Sequence, residues 1–90
     1  MVESRVTVVN NLGLHARAAA QLVRLAGQFE STIRIIRPDK DIFADAKSIL
    51  NLLTLAASIG TVLHLQAEGP DEEKALNAVE ELFKSGFGEL

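Results

Sequence analysis

Gly13-Leu14-His15-Ala16-Arg17 is the segment of this 90-residue chain whose residue types and spacing could do chemistry. From Ala16 the pattern turns helical: Ala19, Leu22, Val23 and Ala26 recur at i, i+3, i+4 and i+7. Leu14 and His15 therefore stand at a helix entry, where Ser, Thr or Asp would be the usual cap. His15 lies beside backbone N–H groups that have no intrahelical acceptor, at the positive end of the helix dipole. That field favours a neutral ring, which can act as a nucleophile. If the ring takes a phosphoryl group, the same N–H groups become donors to its oxygens. Arg17, in the first turn, can add charge-assisted bonds of about 1.5–3 kcal/mol each. Gly13 lets the backbone approach closely. The competing reading makes His15 a plain cap and Arg17 a solvated side chain, and a single His-x-Arg spacing leaves both open.

Lys47-Ser48 precedes a second candidate feature. Ile49, Leu50, Leu52, Leu53 and Leu55 are too many apolar residues for one helical stripe, so part of this helix should stay exposed as a docking patch. Ser48 is placed to cap it. A phosphate on Ser48 would put negative charge beside the apolar patch. His64 falls on the outward register of a strand, with no Arg or Gly framing it, and reads as a solvated surface histidine. Glu72-Glu73 and Glu80-Glu81 read as helix-surface charge. No phosphate-binding glycine loop, hydrolase triad or metal-ligand cluster occurs. No cofactor or metal is expected, and the chain has no evident means of turning over a small substrate alone.

These residues must be positioned by one domain spanning residues 1–90. Surface scaling gives about 5,100 Å² for a folded chain of this size, enough for one thin core. Val2 to Val9 reads as a strand, with Val6 and Val8 on one face. The helix from Ala16 stops at Gly27. Thr32 to Arg37 is a β-branched second strand, Pro38-Asp39-Lys40 a turn, and Asp41 to Ala44 a short strand at or near an edge. Ala46 to Leu55 is a second helix. Thr61 to Glu68 alternates, with Leu63, Leu65 and Ala67 facing in. Asp71 caps a last helix whose stripe is Ala75, Val79 and Leu82, and Gly86 ends it. The order β-α-β-β-α-β-α predicts an α+β layer fold, an antiparallel sheet covered on one side.

Composition narrows the function. Nine Lys and Arg against twelve Asp and Glu give a net charge of −3. With neither Trp nor Tyr and only four Phe, a nucleic-acid surface is unsupported. The absence of cysteine removes disulfides, thiolate nucleophiles and Cys-based zinc sites. Met1 to Arg5 does not resemble a signal peptide and Ile49 to Ile59 is too short to span a bilayer, so a cytoplasmic protein without membrane insertion is expected.

Gly13-Leu14-His15-Ala16-Arg17-Ala18-Ala19, then Lys47-Ser48-Ile49, Gly60 and a C-terminal amphipathic helix together resemble the HPr phosphocarrier family of the bacterial phosphotransferase system. The resemblance covers nearly the whole chain. It implies an open-faced β-sandwich of four antiparallel strands with three helices on one face. It implies that His15 accepts phosphate on Nδ1 from phosphorylated enzyme I and passes it to enzyme IIA of sugar permeases. By position, Arg17 would stabilise the phosphohistidine, and Ile49, Leu50 and Leu53 would dock both partners. Ser48 matches a serine phosphorylated in many members by a dedicated kinase. Such a carrier, expected to be monomeric, is a substrate of other enzymes, not itself an enzyme. Ala18 departs from a usual proline, Leu12 from a polar residue and Asn51 from a frequent glycine, and the Pro38–Lys40 turn reads long. The alternatives are a carrier of the nitrogen-related branch, a regulatory module signalling through Ser48, and a small ligand-binding domain unrelated to the family.

Overall fold

Period-two alternation in the strands produces a sheet with one apolar and one polar face. The computed structural model describes residues 1–90 and places β1 at Val2–Thr7, β2 at Thr32–Arg37, β3 at Ile42–Asp45 and β4 at Val62–Glu68. They form one antiparallel sheet in the order β1-β4-β2-β3, so β3 is an edge strand. Val6, Leu63, Leu65, Ala67, Ile33, Ile35 and Ala44 point to the covered side and are buried. Glu3, Arg5, Arg34, Phe43 and Asp45 lie on the other side, where the Arg34 guanidinium sits 4.7 Å from the Phe43 ring centroid. Asp41 is not part of β3. It takes a left-handed conformation after the 3-10 turn at Pro38–Lys40, which shifts the strand one residue along.

Three helices complete an α+β open-faced sandwich: α1 at Ala16–Ala26, α2 at Ile49–Thr54 and α3 at Glu72–Lys84. The core comprises 22 buried hydrophobic residues, and the accessible surface is 4965 Å², close to the scaling value. No helix is long and apolar enough to cross a membrane. β1 and β2 both run antiparallel to β4, so the connection through α1 leaves a slot that β4 later fills. This split arrangement is why β4 is central although it forms late in the sequence.

Several local expectations shift. α2 begins at Ile49 and not at Ala46, because Ala46 is wholly buried and donates its N–H to the Ile33 carbonyl beside β2. The α1 stripe gains Ala18, while Val23 is only half-buried. Gly27 ends α1 in a right-handed conformation, so no left-handed cap is used. The buried stripe of α3 is Ala75, Leu76, Val79 and Phe83. Leu82 turns half outward.

Asp71 makes no side-chain cap to α3. Its carboxylate accepts instead from the N–H groups of Glu30 and Ser31 at 3.0 Å each and from Ser31 Oγ at 2.5 Å. Those bonds, led by that from the Ser31 hydroxyl, hold Asp71 below its ordinary carboxylate range. They fasten the turn entering β2 to the start of α3.

Gly13 has φ +65°, and a Cβ built there would lie 2.4 Å from the Ala57 carbonyl oxygen. Leu14 N–H bonds to that same oxygen at 2.8 Å, so the backbones cannot separate without losing it. Gly13→Ala is expected to lower unfolding free energy by about 2–3 kcal/mol. Urea denaturation followed by circular dichroism measures this. A loss under about 0.5 kcal/mol would show that the contact yields easily.

Candidate functional site

The entry of α1 carries no ordinary cap. His15 occupies the N-cap position in an extended conformation, and its side chain bonds to no helix N–H. The first-turn N–H groups of Ala16 and Arg17 are without an intrahelical acceptor. The ring is turned instead toward the chain terminus, where Nε2 meets Glu89 Oε2. The other ring nitrogen, Nδ1, has no hydrogen-bond partner in the chain. About a quarter of the His15 side chain is exposed. Arg17 is exposed one residue into α1 and forms no ion pair. With Asn11, Leu12 and Glu89 it lines a shallow hollow beside the ring.

Two residues of this site were not singled out from the sequence. Asn10 is wholly buried, and its Nδ2 donates to the Gly13 carbonyl at 2.8 Å and to Glu89 Oε1 at 2.9 Å. Both neighbours are acceptors, which fixes the amide orientation and leaves Asn10 Oδ1 without a partner. Glu89 is held below the ordinary glutamate range, first by the Asn10 hydrogen bond, then by His15, with Arg17 adding a weaker attraction. The only local signal near Glu89 is the glycine-flanked Phe87. Phe87 sits between two glycines near the end of the chain, a composition that lets the tail fold back, and its burial is what the structure adds, since Leu90 in the same tail stays exposed. Whatever follows Phe87 is then carried onto the domain.

Ser48 and the apolar patch sit on neighbouring structure. α2 packs along α1. Ser48 caps α2, its Oγ accepting from the Asn51 N–H at 3.3 Å. Asn51 reaches back, its Oδ1 accepting from the Asp45 N–H at 3.2 Å, which gives that family departure a structural use. At the other end, Arg37 donates to the carbonyls of Leu55 and Ala56 at 2.9 Å each, and Asp39 in the Pro38–Lys40 turn receives Arg37 Nε at 2.9 Å. A six-residue helix is thus held at both ends. Leu52 and Leu55 are fully buried, whereas Ile49, Leu50 and Leu53 are exposed, Leu50 by 74%. Complete burial of Leu50 against a partner would be worth up to about 1.5–3 kcal/mol, and that of Ile49 and Leu53 less, since only 38% and 37% of each is exposed.

The structure therefore brings His15 and Arg17 together and sets Ile49, Leu50 and Leu53 on the adjoining helix. Ser48 is a half-buried cap residue. His64 lies apart, half-buried on the uncovered sheet face opposite Arg5 and Ile36. No group of three or more His, Asp or Glu side chains is arranged to hold a metal. Chemically, the site offers an unpartnered ring nitrogen, unused helix N–H groups and a free guanidinium, the components for receiving a phosphoryl group.

Comparison with known proteins agrees in sequence and in shape. A family model described as "PTS HPr component phosphorylation site" matches residues 2–85. The phosphocarrier protein HPr of Cupriavidus necator is 44% identical over 89 residues, covering 99% of this chain and 98% of that one. That of Pseudomonas aeruginosa is 46% identical over 84 residues, covering 93% and 92%. The crystal structure of HPr-C-His from Thermoanaerobacter tengcongensis superposes with a TM-score of 0.93 at 41% identity, covering 100% of this chain and 99% of that one. A second structure from that organism, an HPr dimer, gives 0.77 at 42% identity, with coverage of 99% and 100%.

The capping geometry predicts how Ser48 responds to substitution. Ser48→Ala should lose about 1 kcal/mol of stability, and Ser48→Asp should retain most of it because aspartate caps as well as serine. Chemical denaturation of both variants checks this. Equal losses would mean that the 3.3 Å contact contributes nothing.

Proposed function

The chain belongs to the HPr phosphocarrier family of the phosphotransferase system, and on that premise we propose that His15 carries the phosphoryl group from phosphorylated enzyme I to enzyme IIA of sugar permeases. The observation that carries this reading is the paired state of the ring. Nε2 is engaged by Glu89 while Nδ1 has no partner beside the uncapped α1 entry. In this reading the Nδ1 lone pair attacks the phosphorus of the donor's phosphohistidine. The new N–P bond forms as the donor's breaks, and the second transfer reverses those roles. Arg17 and the free first-turn N–H groups hold the non-bridging oxygens as charge develops. Ala18 in place of proline leaves this arrangement unhindered, since α1 still starts at Ala16 and Ala18 is fully buried in its base.

Ile49, Leu50 and Leu53 form the proposed docking face for both partners, on the helix that packs against α1. In this reading the carrier works as a cytoplasmic monomer; ring, guanidinium and patch all lie on one chain, so the proposed site needs no second copy to complete it. Ser48 is the proposed target of a kinase. A phosphate there adds about −1.5 to −2 charges against the docking patch, which a partner must desolvate to bind. The regulatory role follows from that conflict.

Incubation with enzyme I and phosphoenolpyruvate is expected to label the protein once, at His15, giving an acid-labile, base-stable phosphoramidate. His15→Ala should abolish the label and His64→Ala should not. Label that survives in the His15 variant would remove the assignment.

Single-turnover transfer separates the chemistry from the docking. Arg17→Ala should slow transfer while moving stability by less than about 0.5 kcal/mol, because the side chain is exposed and unpaired. Leu50→Ala and Ser48→Asp should slow transfer by weakening association, so that raising enzyme I restores the rate. If transfer is unchanged in the Leu50 and Ser48 variants, α2 is not the docking surface.

A further inference from the structure

We propose that Glu89 is a positioning residue that keeps the proton of His15 on Nε2 in both the free and the phosphorylated ring. The proposal rests on the reading of His15 as phosphoacceptor. It adds a residue 74 positions away in sequence, beyond the segment that the family model matches.

The carboxylate is fixed from several directions. Its Oε1 accepts from the buried Asn10 amide at 2.9 Å and its Oε2 faces His15 Nε2. The backbone behind it is tied down by the Glu89 N–H bond to the Gly86 carbonyl at 3.0 Å. Phe87 anchors the tail, 3% exposed and stacked edge-on against Phe83 with ring centroids 5.0 Å apart. Phe87 has φ +57°, a strained conformation for an aromatic residue, flanked by Gly86 and Gly88 at +61° and +75°. The tail thus makes a tight hook that ends on the histidine.

The chemistry follows from hydrogen counting. An ionised carboxylate only accepts, so a neutral ring must place its single proton on Nε2. Nδ1 is then the lone pair offered to phosphorus. Attack forms the Nδ1–P bond while the donor's N–P bond breaks, and the ring becomes a cation that still holds Nε2–H. The charged groups near that cation are Glu89 from the tail, which stabilises it, and Arg17 from α1, which belongs to the phosphoryl oxygens. On transfer onward the N–P bond breaks and a neutral imidazole leaves, with no proton having moved. Without Glu89 the phosphorylated ring loses its Nε2 proton more readily, and the leaving group becomes the poorer imidazolate.

The test compares parent and Glu89→Gln, which keeps the side-chain size and removes the charge. Ring nitrogen chemical shifts of unphosphorylated protein, taken at alkaline pH where the ring is neutral, read the tautomer directly. The parent should show Nε2–H, and the variant a mixture enriched in Nδ1–H. With phosphoramidate as a small-molecule donor, the variant should be labelled about ten- to a hundredfold more slowly, by analogy with carboxylates that orient metal-binding histidines. The label it does take should hydrolyse more slowly at neutral pH. Identical nitrogen shifts in the two proteins overturn the proposal, as does a parent ring protonated on Nδ1. Labelling at His15 with unchanged tautomer leaves the phosphoacceptor reading standing without Glu89. A tautomer shift with no labelling of either protein leaves Glu89 holding the ring and removes the phosphoacceptor reading.

Discussion

The contact on which the site depends is a backbone one, the seating of Gly13-Leu14 against Ala57. Leu14 N–H bonds to the Ala57 carbonyl, and Gly13 passes so close to that oxygen that no side chain fits. This contact fixes where the chain turns into α1, and so puts His15 at the helix entry with its ring free of capping duty. It also joins that entry to the segment leaving α2. The His15 ring and the apolar helix are held in fixed relation because their connecting loops share one hydrogen bond and a glycine-sized gap. Asn10 strengthens the same corner by bonding to the Gly13 carbonyl from inside.

The molecule divides its labour between faces of one thin core. Large side chains such as Phe83, Leu22, Ile35 and Leu65 are fully enclosed between sheet and helices and supply the cohesion. A chain of this size cannot enclose every apolar residue. The exposed remainder on α2 is concentrated at Ile49, Leu50 and Leu53, and not scattered. A helix so short gains little from its own hydrogen bonds, since nucleation cost dominates at this length. Ser48, Asn51 and Arg37 compensate by satisfying groups at its two ends, and Leu52 and Leu55 root it. The helix can therefore present Ile49, Leu50 and Leu53 to water while its ends stay hydrogen-bonded.

Glu89 shows how a tail can become part of a site. Its sequence neighbourhood is only Gly, Phe, Gly and Leu, with no periodicity and no charge pattern. Burial of Phe87 against Phe83 supplies the attachment, and the glycines supply the curvature. Asn10 and His15, near neighbours in sequence, then meet Glu89 from the far end of the chain as a relay from a buried amide through a carboxylate to a ring. Each group specifies the state of the next: the amide orients the carboxylate, and the carboxylate selects the ring tautomer.

Much of this was legible in the residues. Alternation at Leu63, Leu65 and Ala67, the helical stripe through Ala19 and Leu22, and the turn at Pro38 each follow from local periodicity or backbone chemistry. Together they imply a one-sided α+β sheet. His15 was legible because a histidine where a cap belongs is a local anomaly, and the surplus of leucines after Ser48 implied exposure by counting. Element boundaries shifted where a buried group claimed a backbone bond elsewhere, as Ala46 does with Ile33. Asp71 was read as a cap by its position, yet its carboxylate serves Glu30 and Ser31 across the fold. Sequence by itself determined which faces are apolar and which residue types stand at helix ends, because those depend on neighbours within one or two turns. Only tertiary structure decided that Glu89 faces Nε2 and that Nδ1 remains open, because a contact across 74 residues is set by how the core closes and not by local pattern.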